Sequence, residues 1–178
     1  MNMEYGKFTR ELGLKLYKKY LNSSYAVYYD PHIKKRIDEP NACEPTPFFD
    51  ECSEATTLSI SDIVIVNKNN NLVELIVEIE ESGSVPKKMI GDIGNIILSE
   101  KMRINRKNYN YGNVKFIFGV NGNIKGDSEK KIENIKQKLL QINKKTGNKN
   151  IEILPIFKDN LDSLVMKIEE QIYEMFPL

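Results

Sequence analysis

Two apolar runs on either side of a polar turn constrain the fold of this chain more than any other feature. The runs are Ser59–Val66 (SISDIVIV) and Leu72–Glu80 (LVELIVEIE), and both are rich in isoleucine and valine. Asn67–Asn71 (NKNNN) lies between them and has the composition of a turn. The pattern predicts a β-hairpin, and its nearly continuous apolar residues are typical of strands that are covered on both faces.

Three carboxylates fall on one face of the predicted hairpin. With the turn centred on Asn70, the opposed pairs are Val66 with Glu74, Val64 with Ile76, and Asp62 with Glu78. Opposed residues share one side of a sheet, as do residues two apart on one strand, so Glu80 joins Asp62 and Glu78. Such a group is costly through repulsion and desolvation unless it binds protons or a cation. Carboxylate oxygens suit Mg²⁺, Mn²⁺ or Ca²⁺, which favours a metal site. The alternative is a strand end exposed to solvent.

The remaining periodicity predicts a single α/β domain over residues 1–178. Helices are predicted over 4–21, 86–106, 127–145 and 159–176, and further strands over 25–29, 114–120 and 151–157. A hairpin followed by alternating helices and strands predicts a mixed β-sheet flanked by helices. Residues 30–57 contain four prolines and are predicted to form a long irregular excursion.

Composition and charge exclude several classes of protein. The formal net charge is +1, so the overall electrostatic field says little about partners. No apolar run approaches the ~20 residues of a membrane span, and the first residues have no apolar signal segment. We therefore expect a cytoplasmic protein with no membrane partner. Cys43 and Cys52 do not make a disulfide framework, and together with His32 they fit no standard zinc spacing.

The hairpin carries Ser61-Asp62 on its first strand and Val77-Glu78-Ile79-Glu80 on its second, and a predicted helix follows. This arrangement resembles the PD-(D/E)XK nuclease superfamily, which has the restriction-endonuclease-like fold, and the order of elements agrees over residues 4–120. The resemblance implies that Asp62 and Glu78 ligate Mg²⁺ or Mn²⁺ together with the carbonyl of Ile79. It implies that a metal-bound water cleaves a phosphodiester bond of DNA. A further acid often comes from the first helix in this family. Glu4 and Glu11 are the candidates here, and Glu11 is preferred because it lies next to Leu12 on the apolar face.

The sequence departs from the family pattern at two positions. Ser61 stands where the family has proline, which is a minor change. Glu80 stands where most of the family has lysine, and a carboxylate cannot stabilise an attacking hydroxide by charge. Glu80 could orient the water instead, and Lys87 or Lys88 in the next helix could reach back into the site. The expected catalytic residues are Asp62, Glu78, Glu80 and Lys88.

Two segments carry residue types that bind nucleic acid. The expected contacts are Ser82, Ser84, Lys87, Lys88, Arg103, Arg106 and Lys107. Small residues before a helix let the backbone approach a phosphate, and basic side chains neutralise phosphates. The leading hypothesis is a metal-dependent DNA endonuclease, of which a homodimer that cuts both strands is one form. The alternatives are an inactive nucleic-acid-binding or assembly module of the same fold, and an unrelated α/β protein-interaction domain whose acidic strand end is only surface.

Overall fold

The computed structural model describes residues 6–32, 39–49, 52–81, 85–121 and 151–178, and a few helical positions between 130 and 141. The helices are α1 (Lys7–Tyr20), α2 (Val85–Leu98) and α3 (Leu161–Met175), with a 3₁₀ turn at Glu54–Thr56. The strands are β1 (Tyr25–Tyr29), β2 (Thr46–Phe48), β3 (Ile63–Asn67), β4 (Leu72–Glu80), β5 (Lys101–Ile104), β6 (Lys107–Asn121) and β7 (Ile151–Lys158). The predicted helix over 127–145 lies largely outside the described residues. Among the helices that the structure describes, none has the length and apolar character needed to cross a membrane.

The strands form one mixed sheet in the order β1-β3-β4-β6-β5-β2, and β7 also pairs with β6. Strand β6 lies parallel to β4 along one edge, and its other edge pairs first with β5 and then, in parallel, with β7. Within the described strands, β7 has β6 as its one neighbour. Its Pro155 therefore lies on an edge strand, where a residue that cannot donate to a ladder is tolerated. This architecture confirms the predicted α/β class and the mixed sheet flanked by helices.

The hairpin of β3 and β4 has the predicted register on the side of the carboxylates. Ile63 pairs with Val77, which brings the beginning of β3 level with the acidic end of β4. Nearer the turn the prediction is wrong, since Val66 pairs with Val73 and not with Glu74. A bulge in β4 shifts the ladder there by one residue, and the shift does not reach the carboxylates.

Residues 59–62 lie outside β3, although the apolar pattern predicts that they belong to it. The chain bonds instead to the proline-rich segment before it: Ser61 donates its N–H to the carbonyl of Pro45 at 2.8 Å. Asp30 donates its N–H to the carbonyl of Asp62, also at 2.8 Å. The predicted irregular excursion thus contains β2 and the 3₁₀ turn, and it is tied to the beginning of β3.

Each face of the sheet buries its own apolar cluster. The cluster on the α2 face includes Val64, Ile76, Ile93, Ile96 and Phe116. The cluster under α1 and α3 includes Leu12, Leu16, Ile65, Val77 and Leu164. Successive residues of a strand point to opposite faces. Glu78 and Glu80 alternate with Val77 and Ile79 and therefore lie on the α2 face. That they share one face is as predicted.

The segment after α2 is a hairpin, and the predicted continuation of the helix to Arg106 is wrong. α2 ends at Leu98, and β5 pairs antiparallel with the start of β6. Asn105 and Arg106 have φ angles of 47° and 67°, the left-handed conformation that a two-residue hairpin turn of this kind requires. Met102 and Ile104 are buried between exposed or half-buried neighbours, and this period of two identifies the strand.

Candidate functional site

Asp62, Glu78 and Glu80 are buried where β3 begins and β4 ends. They expose 7%, 6% and 2% of their surface, respectively. The interpretation of these residues as an acidic strand end in solvent is therefore wrong. Burial withdraws each carboxylate from water, so a neighbouring proton, hydrogen-bond donor or cation must stabilise it.

Two donors hold the two oxygens of the Asp62 carboxylate. Oδ2 accepts a hydrogen bond from the Ile79 N–H at 2.6 Å, and Oδ1 lies 3.0 Å from Nε2 of His32. His32 lies between two acids, because its Nδ1 is 3.4 Å from Oδ2 of Asp30. The hydrogen bond to Asp62 raises the pKa of His32, although burial acts in the opposite direction. The charges of Asp62 and Asp30 add to the rise.

A lysine of α2 reaches the carboxylates of β4. Nζ of Lys88 lies 2.8 Å from Oε2 of Glu80, and 39% of the Lys88 side chain is exposed. Asp92 follows one helical turn later, and burial raises its pKa to about 6 although Lys88 lowers it. Oδ2 of Asp92 is buried and has no hydrogen-bond partner in the described part of the chain.

The surroundings of Glu78 disfavour its ionised form. Burial raises the pKa of Glu78 well above its ordinary value, and the charges of Asp62 and Asp92 raise it further. Ser61 and Lys88 lower the pKa but do not reverse the rise. Glu78 is therefore stabilised either by a proton or by a cation placed among these acids.

The donor chemistry of the cluster fits a hard divalent cation. Carboxylates and a main-chain carbonyl are the oxygen ligands that Mg²⁺ and Mn²⁺ prefer. Within residues that the structure describes, no group of three or more His, Cys, Asp or Glu side chains is already arranged around one metal position. Mg²⁺ commonly takes only one or two carboxylates and keeps several waters, so two acids such as Asp62 and Glu78 would be enough to hold it.

The structure does not bring every predicted residue into this cluster. Glu11 lies exposed on α1, 3.8 Å from Lys7, and no described contact joins it to the buried acids. The side chains of Ser82, Ser84 and Lys87 lie outside the described part of the structure.

Three of the predicted basic contacts, Arg103, Arg106 and Lys107, lie on the β5–β6 hairpin. Arg103 donates to the carbonyl of Cys52 at 2.9 Å and covers the ring of Phe48. Lys107 donates to Asn71 at 2.7 Å, and Arg106 is exposed in the turn. Arg103 is therefore engaged in packing, whereas Arg106 presents its charge to solvent.

Sequence reasoning missed three residues that surround these carboxylates: Asp30, His32 and Asp92. Asp92 had a usable signal, because it follows Lys88 by four residues on one helix face. Asp30 and His32 lie in an aperiodic segment, and only the folded chain brings His32 to Asp62. The only weak signal was that His32 is the single histidine of the chain.

Comparison of the chain with protein-family models, with curated proteins and with solved structures finds no match.

Proposed function

We propose that this protein is a divalent-metal-dependent nuclease that hydrolyses phosphodiester bonds in DNA, with a restriction-endonuclease-like fold. The observation that carries the proposal is the burial of Asp62, Glu78 and Glu80 in one cluster, where the pKa of Glu78 is raised by that burial and by its acidic neighbours. Maintaining such a cluster without a function is costly, and perturbed carboxylates of this kind concentrate at functional sites.

The proposed metal ligands are Asp62, Glu78 and the carbonyl of Ile79. The N–H and the C=O of one strand residue point to the same side of the strand. Since the Ile79 N–H bonds to Asp62, the Ile79 carbonyl is directed to that same side, beyond the end of the β3 ladder. This geometry supports a shared site for the three groups. A bound Mg²⁺ or Mn²⁺ would lower the pKa of a coordinated water and neutralise charge on the phosphate.

Lys88 is proposed to take the role that the family assigns to a lysine on the strand. The ammonium group of Lys88 lies 2.8 Å from the Glu80 carboxylate. The lysine charge is therefore at the acidic end of β4, although the residue belongs to α2. A positive charge there would stabilise an anionic nucleophile or a phosphate oxygen. Glu80 would position Lys88 and, with it, the attacking water.

Plasmid cleavage in the presence of Mg²⁺ or Mn²⁺ tests the proposal. The test variant is Glu78→Gln, and the matched control is Glu74→Gln, which makes the same change on the same strand. The Glu74 carboxylate accepts from Asn67 at 3.0 Å near the turn of the hairpin, at the far end of β4 from the cluster. We expect the native protein and Glu74→Gln to cleave and Glu78→Gln to be inactive. Full metal-dependent cleavage by Glu78→Gln would refute the site.

A second candidate is an inactive nucleic-acid-binding or assembly module of the same fold. The observation that favours it is Glu80, a carboxylate in place of the family's lysine, which is already engaged with Lys88. Metal-independent DNA binding by the native protein, with no cleavage under Mg²⁺ or Mn²⁺, would support this candidate over the nuclease.

A further inference from the structure

His32 occupies a position that the fold accommodates at a conformational cost. Its φ angle is 50°, in the left-handed region that residues other than glycine adopt uncommonly, although asparagine, aspartate and histidine do so more often than the rest. Gly6 lies against the ring: a Cβ at Gly6 would come within 2.4 Å of the His32 side chain. A strained backbone and a glycine that makes room for the ring both indicate that the surrounding structure fixes this histidine in one place.

The ring of His32 connects two acids from different segments. Asp30 anchors the residue from behind, since its Oδ1 accepts the His32 N–H at 2.9 Å and its Oδ2 lies 3.4 Å from Nδ1. On the other side, Nε2 lies 3.0 Å from Oδ1 of Asp62. The main chains are also joined, because the Asp30 N–H donates to the Asp62 carbonyl. Together these contacts restrict the orientations that the Asp62 carboxylate can adopt.

We propose that His32 is a positioning residue, which bridges Asp30 and Asp62 and fixes the orientation in which Asp62 binds a divalent cation. This inference rests on the proposed function, since it takes Asp62 as a metal ligand. An ionised carboxylate has about four lone-pair sites. The contacts with Ile79 and His32 occupy one on each oxygen, so each oxygen keeps another for a metal. Hydrogen-bonded partners of this kind fix the orientation of the side chains that bind a metal.

Two substitutions of His32 separate positioning from folding. Gln places an amide N–H near the position of Nε2 and can keep the bond to Asp62, whereas Asn is too short to do so. Asn is, however, well suited to a left-handed backbone, because its short polar side chain can hydrogen-bond locally. A purely structural role would therefore favour His32→Asn, and a positioning role favours His32→Gln.

The measurement is Mn²⁺ binding by titration calorimetry at one fixed pH, with urea unfolding of each variant beside it. We expect the native protein to bind Mn²⁺ and Asp62→Asn to lose binding. His32→Asn should bind roughly 10- to 100-fold more weakly, while His32→Gln stays within a few-fold of the native protein. Glu152→Gln, an exposed acid on β7, should bind as the native protein does.

The single histidine provides a second readout that does not depend on activity. Its ring signals are unique in the NMR spectrum, because the chain contains one histidine. Bound Mn²⁺ broadens the signals of nuclei close to it. The ring signals should disappear on addition of Mn²⁺ to the native protein and persist in Asp62→Asn.

The outcomes distinguish the two proposals. Loss of binding in Asp62→Asn together with native affinity in His32→Asn would overturn the positioning role and leave the metal site standing. Equal weakening in folded His32→Gln and His32→Asn would also overturn it, because the bond from Nε2 would then not matter. Absence of Mn²⁺ binding by the native protein would overturn the metal site and this inference with it.

Discussion

The Lys88 ammonium lies 2.8 Å from the carboxylate of Glu80, a residue that is 2% exposed. The two residues come from different elements, and α2 packs on the same face of the sheet to which Glu80 points. The helix therefore supplies the cation for an acid that the strand buries. A pair of this kind is asymmetric: Lys88 can reach water, but Glu80 cannot, so loss of the lysine removes a nearby cation from a buried acid.

Replacement of Lys88 by Gln should destabilise the protein more than replacement of Glu80 by Gln. We expect Lys88→Gln to lower the free energy of unfolding by about 1–3 kcal/mol, since a buried carboxylate loses a charged hydrogen-bond donor. The double variant should recover most of that loss, because the buried negative charge is then removed together with the lysine. Urea unfolding at pH 7 in the presence of a chelator measures all three. Equal stability of Lys88→Gln and the native protein would show that the pair is weak in solution.

Two helical glycines should respond to alanine with opposite signs. A Cβ at Gly13 of α1 would lie 2.3 Å from Cγ of Tyr29, which is fully buried, whereas a Cβ at Gly91 of α2 meets nothing within 4 Å. Gly13→Ala should therefore lose about 1–3 kcal/mol through overpacking. Gly91→Ala should gain up to about 1 kcal/mol from helix propensity. Thermal unfolding of the two variants side by side is the test, and a stabilising Gly13→Ala would contradict the packing of α1 on β1.

The sequence predicts those parts of the site that a regular element positions. β4 has its predicted bounds, because its apolar residues and its flanking turn mark both ends. Alternation along that strand then places Glu78 and Glu80 on one face without any tertiary information. The position of the turn also predicts the register of β3 and β4 beside Asp62. The bulge, which the sequence does not predict, lies nearer the turn and leaves that register unchanged.

The parts that sequence reasoning missed depend on contacts between distant segments. His32 lies thirty residues from Asp62 along the chain and reaches it through an aperiodic loop, so no spacing rule applies. The β5–β6 hairpin was missed for another reason. The helical periodicity of α2 continues in the sequence beyond Leu98, where the helix ends. In addition, Asn105-Arg106 is not one of the usual hairpin dipeptides. The alternation of Met102 and Ile104 with basic residues held the correct signal.

Arg106 and Arg103 should differ in what their loss affects. Arg106 is exposed in the hairpin turn, so Arg106→Ala should weaken DNA binding and reduce the salt dependence by about one counterion with unchanged stability. Arg103 donates to the Cys52 carbonyl and covers Phe48, so Arg103→Ala should cost about 1 kcal/mol of stability. Fluorescence anisotropy with labelled duplex DNA at several salt concentrations, in Ca²⁺ to slow cleavage, gives the first quantity. Unchanged affinity and salt slope in Arg106→Ala would remove the hairpin turn from the proposed DNA-binding surface.

The metal-free protein should lose stability as the pH rises through the acidic range. The pKa of Asp92 is raised from its ordinary 3.8 to about 6, so the folded state holds this proton more tightly than the unfolded state does. Its contribution is complete below pH 3.8 and is lost between 3.8 and about 6. Glu78 has the same sign from its ordinary pKa of 4.5 upward. The pKa of His32 is also raised, from its ordinary value of 6.5. Its contribution to stability is therefore complete below pH 6.5 and is lost as the pH rises through the pKa of the folded state.

Glu78→Gln isolates the contribution of Glu78. At pH 7 in the presence of a chelator, the free energy of unfolding of Glu78→Gln should be about 1–3 kcal/mol higher than that of the native protein. The reason is that a neutral amide carries no charge to bury beside Asp62 and Asp92. Saturating Mn²⁺ should reverse the order, since a cation that binds only the folded state stabilises it and Glu78→Gln lacks one of the proposed ligands. Urea unfolding with and without Mn²⁺ at pH 5 and pH 7 gives the comparison. If Mn²⁺ stabilised both proteins equally, the cation would be bound elsewhere, and the buried carboxylates would need another account.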